Sequence, residues 1–294
     1  MKTVVTLLTL TFNISLFVTV FAYALRARRR DLRYMWRRPR SLILSLVALF
    51  VLTPAAALIV VETIEIPTTA KVAMVALSLS IIPPLLPQKE LAAGGEPGFA
   101  IGLTVASAAL AVVIIPGQVE FLGDLTGRPY GVPVAEVAGV VATLVAVPLA
   151  LGLAVGRVWP GASERIGAPL TKLAGLATSI ALLVILVLTL PQVIDFISAG
   201  TVLAMFLFNV LALAAGHLVG GPDPGREVVL GISCATRHPA IALTIATVNY
   251  PGERFTAAVI LCLLINAIVV GPYVRWQRQR GRDARAWGPT EATA

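Results

Sequence analysis

Charge is scarce in this chain. Lys, Arg, Asp and Glu together make up 13% of the 294 residues, about half the roughly 25% of a soluble domain. That shortage, beside 57% hydrophobic residues, excludes an ordinary cytosolic enzyme and a disordered chain. Cysteine is rarer still. Cys234 and Cys262 both sit in apolar stretches, which excludes a secreted disulfide scaffold and reads as packing. There are two histidines, no CxxC and no HExxH, so no metal centre and no organic cofactor is expected. Acidic residues are the minority sign, 15 against 23 basic, for a net charge of +8.

What remains is long apolar runs. At ~20 residues per membrane-crossing helix, the sequence predicts an all-α polytopic membrane protein of about nine spans. They fall at 3–25, 41–62, 68–93, 98–117, 134–156, 169–190, 198–220, 226–249 and 255–273. The first run is read as a true span and not a signal peptide, because it is long and ends on Arg-Ala-Arg-Arg-Arg.

The basic residues set the orientation. Loop 26–40 holds eight Arg and one acid, and such a loop stays cytoplasmic. The N-terminus is then outside. Alternation puts the tail beyond 277, rich in Arg, inside with it. The expected location is the cell (inner) membrane, and the positive charge is read as this topology signal, with no nucleic acid as partner.

Two of the runs are broken. The third carries Pro83, Pro84 and Pro87 before Gln88-Lys89-Glu90, and the eighth carries Thr236-Arg237-His238-Pro239. Proline removes a backbone donor and clashes with the preceding turn. In a bilayer such a break is tolerated where protein packs around it or a cavity adjoins it. Each broken run is followed by a short Pro-Gly turn, Pro97-Gly98 or Pro251-Gly252, and then by a straight run. The topology gives the two units opposite directions. Spans one to four thus match spans six to nine as an inverted repeat. Paired interrupted spans in inverted halves point to a substrate site of a secondary transporter at mid-membrane.

Arg237 lies near the middle of its span. A charge there costs ~3 kcal/mol or more on insertion scales, so it must face a cavity or a partner. Two readings stand: an anion-binding or counter-ion group, and a structural one, paired with Glu90 or capping carbonyls at the breaks. His238 reads either as a proton site or as a neutral, backbone-bonded residue. The helix starting near Pro239 turns its positive dipole end toward the break, which favours a carboxylate or sulfonate ligand. Ser233, Thr236, Gln88 and Asn266, with Ser78, Ser80, Thr244 and Asn209, add neutral polar groups.

The stretches SLSIIPPLLPQKELAAGGE and GISCATRHPAIALTIATVNYP resemble the bile acid:sodium symporter family, and more loosely its bacterial homologues. The second stretch matches the family's second broken helix, with its small residues around Ala240-Ile241-Ala242-Leu243. The resemblance implies two inverted repeats, two discontinuous helices crossing beside a substrate cavity, and a core domain that moves against a panel domain. It assigns spans 1–25 and 134–190 to the panel, and 41–117 and 198–276 to the core, with broken helices 68–93 and 226–249. The basic segments 26–40 and 277–294 lie outside both. The same alignment places Ser233 where the family has a sodium-binding Glu. Arg237 and His238 stand at its Gln and Asn, and Leu86 and Pro87 at a Ser-Asn pair. The sodium sites are divergent, and a fixed positive charge stands where a cation would bind. Proton coupling, uniport and an Arg substituting for the cation all remain open.

The expected function is secondary active transport of a small organic anion by alternating access, with sodium or a proton as coupling ion. The expected partners are that anion and the lipid bilayer, and a homo-oligomer stays open. An intramembrane protease is disfavoured, because no two Asp and no Ser-His pair occupy facing spans. A channel, a membrane sensor and a subunit of a larger complex are the other rivals.

Overall fold

A computed structural model describes residues 14–26, 34–126 and 139–286, apart from 16, 36, 84, 140, 141, 160, 162 and 251. The expected break residue Pro84, the start of the first run, much of loop 26–40, segment 127–138 and the end of the tail therefore lie outside the described residues.

The described chain is helical and contains no strand. In chain order the helices are α1 (Phe17–Arg26) and α2 (Pro39–Thr63), α3 (Thr68–Leu79), α4 (Leu86–Ala92), α5 (Pro97–Thr126) and α6 (Val147–Val158). They continue as α7 (Ala168–Asp195), α8 (Ala199–Gly220), α9 (Pro224–Ala235), α10 (Pro239–Asn249) and α11 (Thr256–Ala286). Among the described residues, five stretches are long and apolar enough to cross a membrane: α2, α7 with the turn before it, α8, the α9–α10 run, and α11. The two halves of α5, bent by 59°, make a sixth. The chain is a multi-pass membrane protein. The shorter apolar helices α1, α3 and α6 fall where the sequence puts its first, third and fifth spans.

Two boundaries differ from the sequence reading. Helix α11 runs on to Ala286, so the described part of the basic segment starting at 277 continues the last helix. Arg and Gln are good helix formers, and nothing between 273 and 286 interrupts the turn. Helix α2 is not regular either. Residues Ala48–Leu52 form a π-helical segment just before Pro54, a break that the apolar pattern of 41–62 hides.

The interior forms one continuous core from α2, α3, α5, α8, α9, α10 and α11. Helices α8 and α9 approach closely because Gly216 and Gly220 lack side chains. A Cβ on Gly216 would lie 2.3 Å from the Leu230 carbonyl oxygen. Small residues at such contacts are how membrane helices pack without a hydrophobic drive between them. Helix α7 instead exposes Leu173, Leu176, Ile180, Leu183 and Val187, a helical stripe suited to lipid.

Polar side chains gather at one end of the molecule. Tyr34 donates to Glu96 Oε2 at 2.5 Å, and Arg38 donates to the Tyr34 hydroxyl. Arg226 pairs with Asp223 at 3.2 Å and with Glu96 at 3.6 Å. Arg278 caps the Ala92 carbonyl at 2.7 Å, and Arg280 pairs with Glu227 at 2.9 Å. Burial, and then the bond to Glu96, holds the Tyr34 hydroxyl above its ordinary range, so it stays a donor. These contacts bring four segments together, around 34–41, 92–96, 223–227 and 278–280.

Candidate functional site

Helix α3 stops at Leu79, where Ser80 turns extended (φ −73°, ψ 165°), and α4 resumes at Leu86 with Pro87 in its first turn. Helix α9 stops at Ala235, with Thr236 extended (φ −100°, ψ 114°), and Pro239 opens α10. His238 is extended as well (φ −82°, ψ 112°), as a residue preceding proline must be. Pro83 lies between α3 and α4. Pro83 thus lies in the first interruption, and Pro87 and Pro239 stand in the first turn of the helix that follows each one.

The two breaks touch. The His238 backbone N–H donates to the Ser80 hydroxyl at 3.0 Å and to the Ile81 carbonyl at 3.0 Å. Arg237, 2% exposed, donates from Nη1 to the Ser80 carbonyl at 3.0 Å and from Nη2 to the Leu49 carbonyl. Ser80 lies just past the C-terminal end of α3. Such an end holds unpaired carbonyls and partial negative charge, and a cation there is stabilising.

Leu49 explains the π segment. Pro54 has no N–H, so the carbonyls one turn earlier lack their helical donor. Two side chains from other helices replace it: Arg237 donates to the Leu49 carbonyl and Gln118 Nε2 to that of Phe50. The Ala48 carbonyl keeps the Thr53 backbone N–H and takes Thr53 Oγ1 as well, at 2.9 Å. Helix α2 is therefore a third irregular element at the crossing. Pro54 in the middle of an apolar run was the available signal for it.

The remaining expected residues form two groups. Ser233 donates to Glu90 Oε1 at 2.6 Å, joining α9 to α4, so Glu90 is bonded to Ser233 and not to Arg237. Asn266 of α11 donates to Asn209 Oδ1 at 2.8 Å and to the Ala235 carbonyl at 2.9 Å. Thr236 reaches Asn266 Oδ1 at 3.5 Å. This second group covers the C-terminal end of α9 with amide donors. Gln88 is exposed and bonds Tyr23 of α1, which also lies within electrostatic reach of Glu90. At this site Glu90 Oε2, Gln118 Oε1, Arg237 Nε and His238 Nδ1 are buried and keep no hydrogen-bond partner. No cluster of three or more His, Cys, Asp or Glu exists among the described residues.

A family model described as the sodium bile acid symporter family matches residues 13–200, well over half of the chain. The chain belongs to the sodium bile acid symporter family. The match covers the first break and the π segment of α2. The second break, with Ser233, Arg237 and His238, lies beyond it. No curated protein gives a match to the chain. Members of this family are membrane transporters and not enzymes.

Glu90, on α4, brings its oxygen to within 2.6 Å of the Ser233 hydroxyl. The Arg237 guanidinium is bonded to two backbone carbonyls.

Proposed function

We propose that this symporter-family protein is a secondary carrier of a small organic anion at the cell (inner) membrane. It works by alternating access, does not use sodium, and has its N-terminus outside and its C-terminus in the cytoplasm. One observation carries the reading: two interrupted helices, from distant parts of the chain, meet at their breaks around the buried cation Arg237. In a bilayer, irregular backbone of this kind belongs at a transport site.

Arg237 takes the cation's place. It neutralises the carbonyl end of α3 and the orphaned Leu49 carbonyl, the work a bound metal ion would do with the same oxygens. The start of α10 at Pro239 presents the positive end of a helix dipole on the other side of the break, and the unpartnered Arg237 Nε and His238 Nδ1 lie beside it. An anionic group is the ligand this field favours. The two units α1–α5 and α7–α11 are an inverted repeat in this reading. Helix α6 joins them, nine spans are crossed in all, and α2–α5 with α8–α11 form the core that rocks against a panel of α1, α6 and α7.

The test is uptake of a panel of labelled carboxylates and sulfonates into proteoliposomes, under a sodium gradient, a proton gradient or neither. Saturable uptake of one anion, unchanged when choline replaces sodium, is the expected result. Strict sodium dependence would remove the surrogate-cation role. Failure of every anion to enter would remove the carrier reading.

A further inference from the structure

Among the described residues, Glu90 is the acidic side chain with no exposed surface at all. Its Oε1 accepts a hydrogen bond from Ser233 at 2.6 Å, and its Oε2 has no hydrogen-bond partner. The other well-buried acid, Glu227, is matched by Arg280 at 2.9 Å. Glu90 has no such ion pair among the described residues. Ser233 and Cys234 face it from α9, Tyr23 faces it from α1, and Lys89 precedes it on α4. Arg237, one turn beyond Ser233, has both terminal nitrogens committed to the carbonyls of Ser80 and Leu49.

An isolated carboxylate in a medium of low dielectric is costly. It is relieved by a counter-charge, by a metal ion with several oxygen ligands, or by a proton. The first is missing around Glu90. For the second, the polar side chain bonded to it is a single hydroxyl. The proton is left.

We propose that Glu90 is a proton-binding site, loaded on Oε2, and that this proton is the coupling ion of the carrier. The coupling role rests on the carrier reading above, whereas the proton site itself does not. One O–H bond forms when Oε2 takes a proton from water on the outer side. The same bond breaks when the proton passes to water on the cytoplasmic side, and no other group changes. Moved with one monovalent anion, the proton makes the cycle electroneutral. The bond to Ser233 makes the event mechanical as well as chemical, because it spans α4 and α9, one element from each broken pair. Deprotonation leaves a bare charge in that seam and favours its opening to water.

Infrared difference spectroscopy of the purified protein in detergent, without any substrate, tests the site. At neutral pH the wild type should show the carbonyl stretch of a protonated carboxylic acid that Glu90→Gln lacks. Ser233→Ala should move that band to higher frequency, because the carbonyl loses its hydrogen bond. The shift in Ser233→Ala decides the matter by itself if Glu90→Gln does not fold. A spectrum in which neither change occurs overturns the proposal. So does a protonated-acid band lost on adding sodium chloride but not choline chloride, which would make the site a cation site. In proteoliposomes Glu90→Gln should lose the uptake driven by a proton gradient. Equal proton-driven uptake in wild type and Glu90→Gln removes the coupling role. Because the infrared band needs no substrate, failure of the proton site and failure of the carrier reading are separate results.

Discussion

Replacing Arg237 should separate function from folding. Its guanidinium makes two charge-assisted hydrogen bonds, to the Ser80 carbonyl at 3.0 Å and to the Leu49 carbonyl. Bonds to charged groups contribute roughly 1.5–3 kcal/mol each, so the pair contributes roughly 3–6 kcal/mol. Carrying the charge into the span costs ~3 kcal/mol, which leaves a net support of about zero to 3 kcal/mol. Arg237→Ala should therefore lower the thermal stability of the detergent-solubilised protein only modestly, with most molecules still folded and inserted. Anion uptake per folded molecule should nevertheless vanish, because the carbonyl ends at the break lose their positive charge. Arg237→Lys keeps the charge, but one ammonium cannot fork between two carbonyls as a planar guanidinium does, so intermediate uptake is expected. The assay is initial uptake in proteoliposomes, normalised to the monodisperse fraction by size exclusion. Wild-type uptake by Arg237→Ala would refute the reasoning. Uptake that falls only in step with the folded fraction would make Arg237 a clamp and nothing more.

Other outcomes follow from neighbouring contacts. Asn266→Leu removes the donor from Asn209 Oδ1 and from the Ala235 carbonyl. At ~1–3 kcal/mol for each buried acceptor left bare, the melting temperature in detergent should fall clearly, and an unchanged value would show that other donors replace the amide. Gly216→Ala places a methyl group where the Leu230 carbonyl oxygen lies 2.3 Å away. Overpacking of ~1–3 kcal/mol should lower the monodisperse yield, whereas Gly117→Ala, with open space around it, should not. Gln118→Leu strips the donor from the Phe50 carbonyl while Arg237 keeps its own bonds. Uptake should survive with reduced stability, and complete loss of uptake would place Gln118 in the transport site.

The breaks were legible in the sequence because proline writes them directly. Pro87 and Pro239 each sit in the first turn of a new helix. Apolar run lengths gave α8 and the α9–α10 stretch nearly residue by residue. Three things stayed hidden for physical reasons. The π segment of α2 is apolar throughout, so hydropathy does not register it, and Pro54 gained meaning only once Arg237 and Gln118 were seen to bond the freed carbonyls. The choice between Arg237 paired with Glu90 and Arg237 capping carbonyls at the breaks stayed open, because charge alone allows both and only the packing of α4 on α9 gives Glu90 to Ser233. The end of α11 was placed too early, since a hydropathy reading stops where charge begins, although the helix does not.

The Arg237 guanidinium has a thermodynamic consequence of its own. A site filled by a dissolved ion obeys mass action: its occupancy, and the stability it lends, rise and fall with concentration. A site filled by a side chain has no such dependence. The junction of α2, α3 and α9 is therefore equally well filled at any external sodium concentration. An attached charge also cannot cross the membrane and be released, so it draws nothing from an ion gradient. In the proposed carrier, the driving ion must enter elsewhere in the molecule.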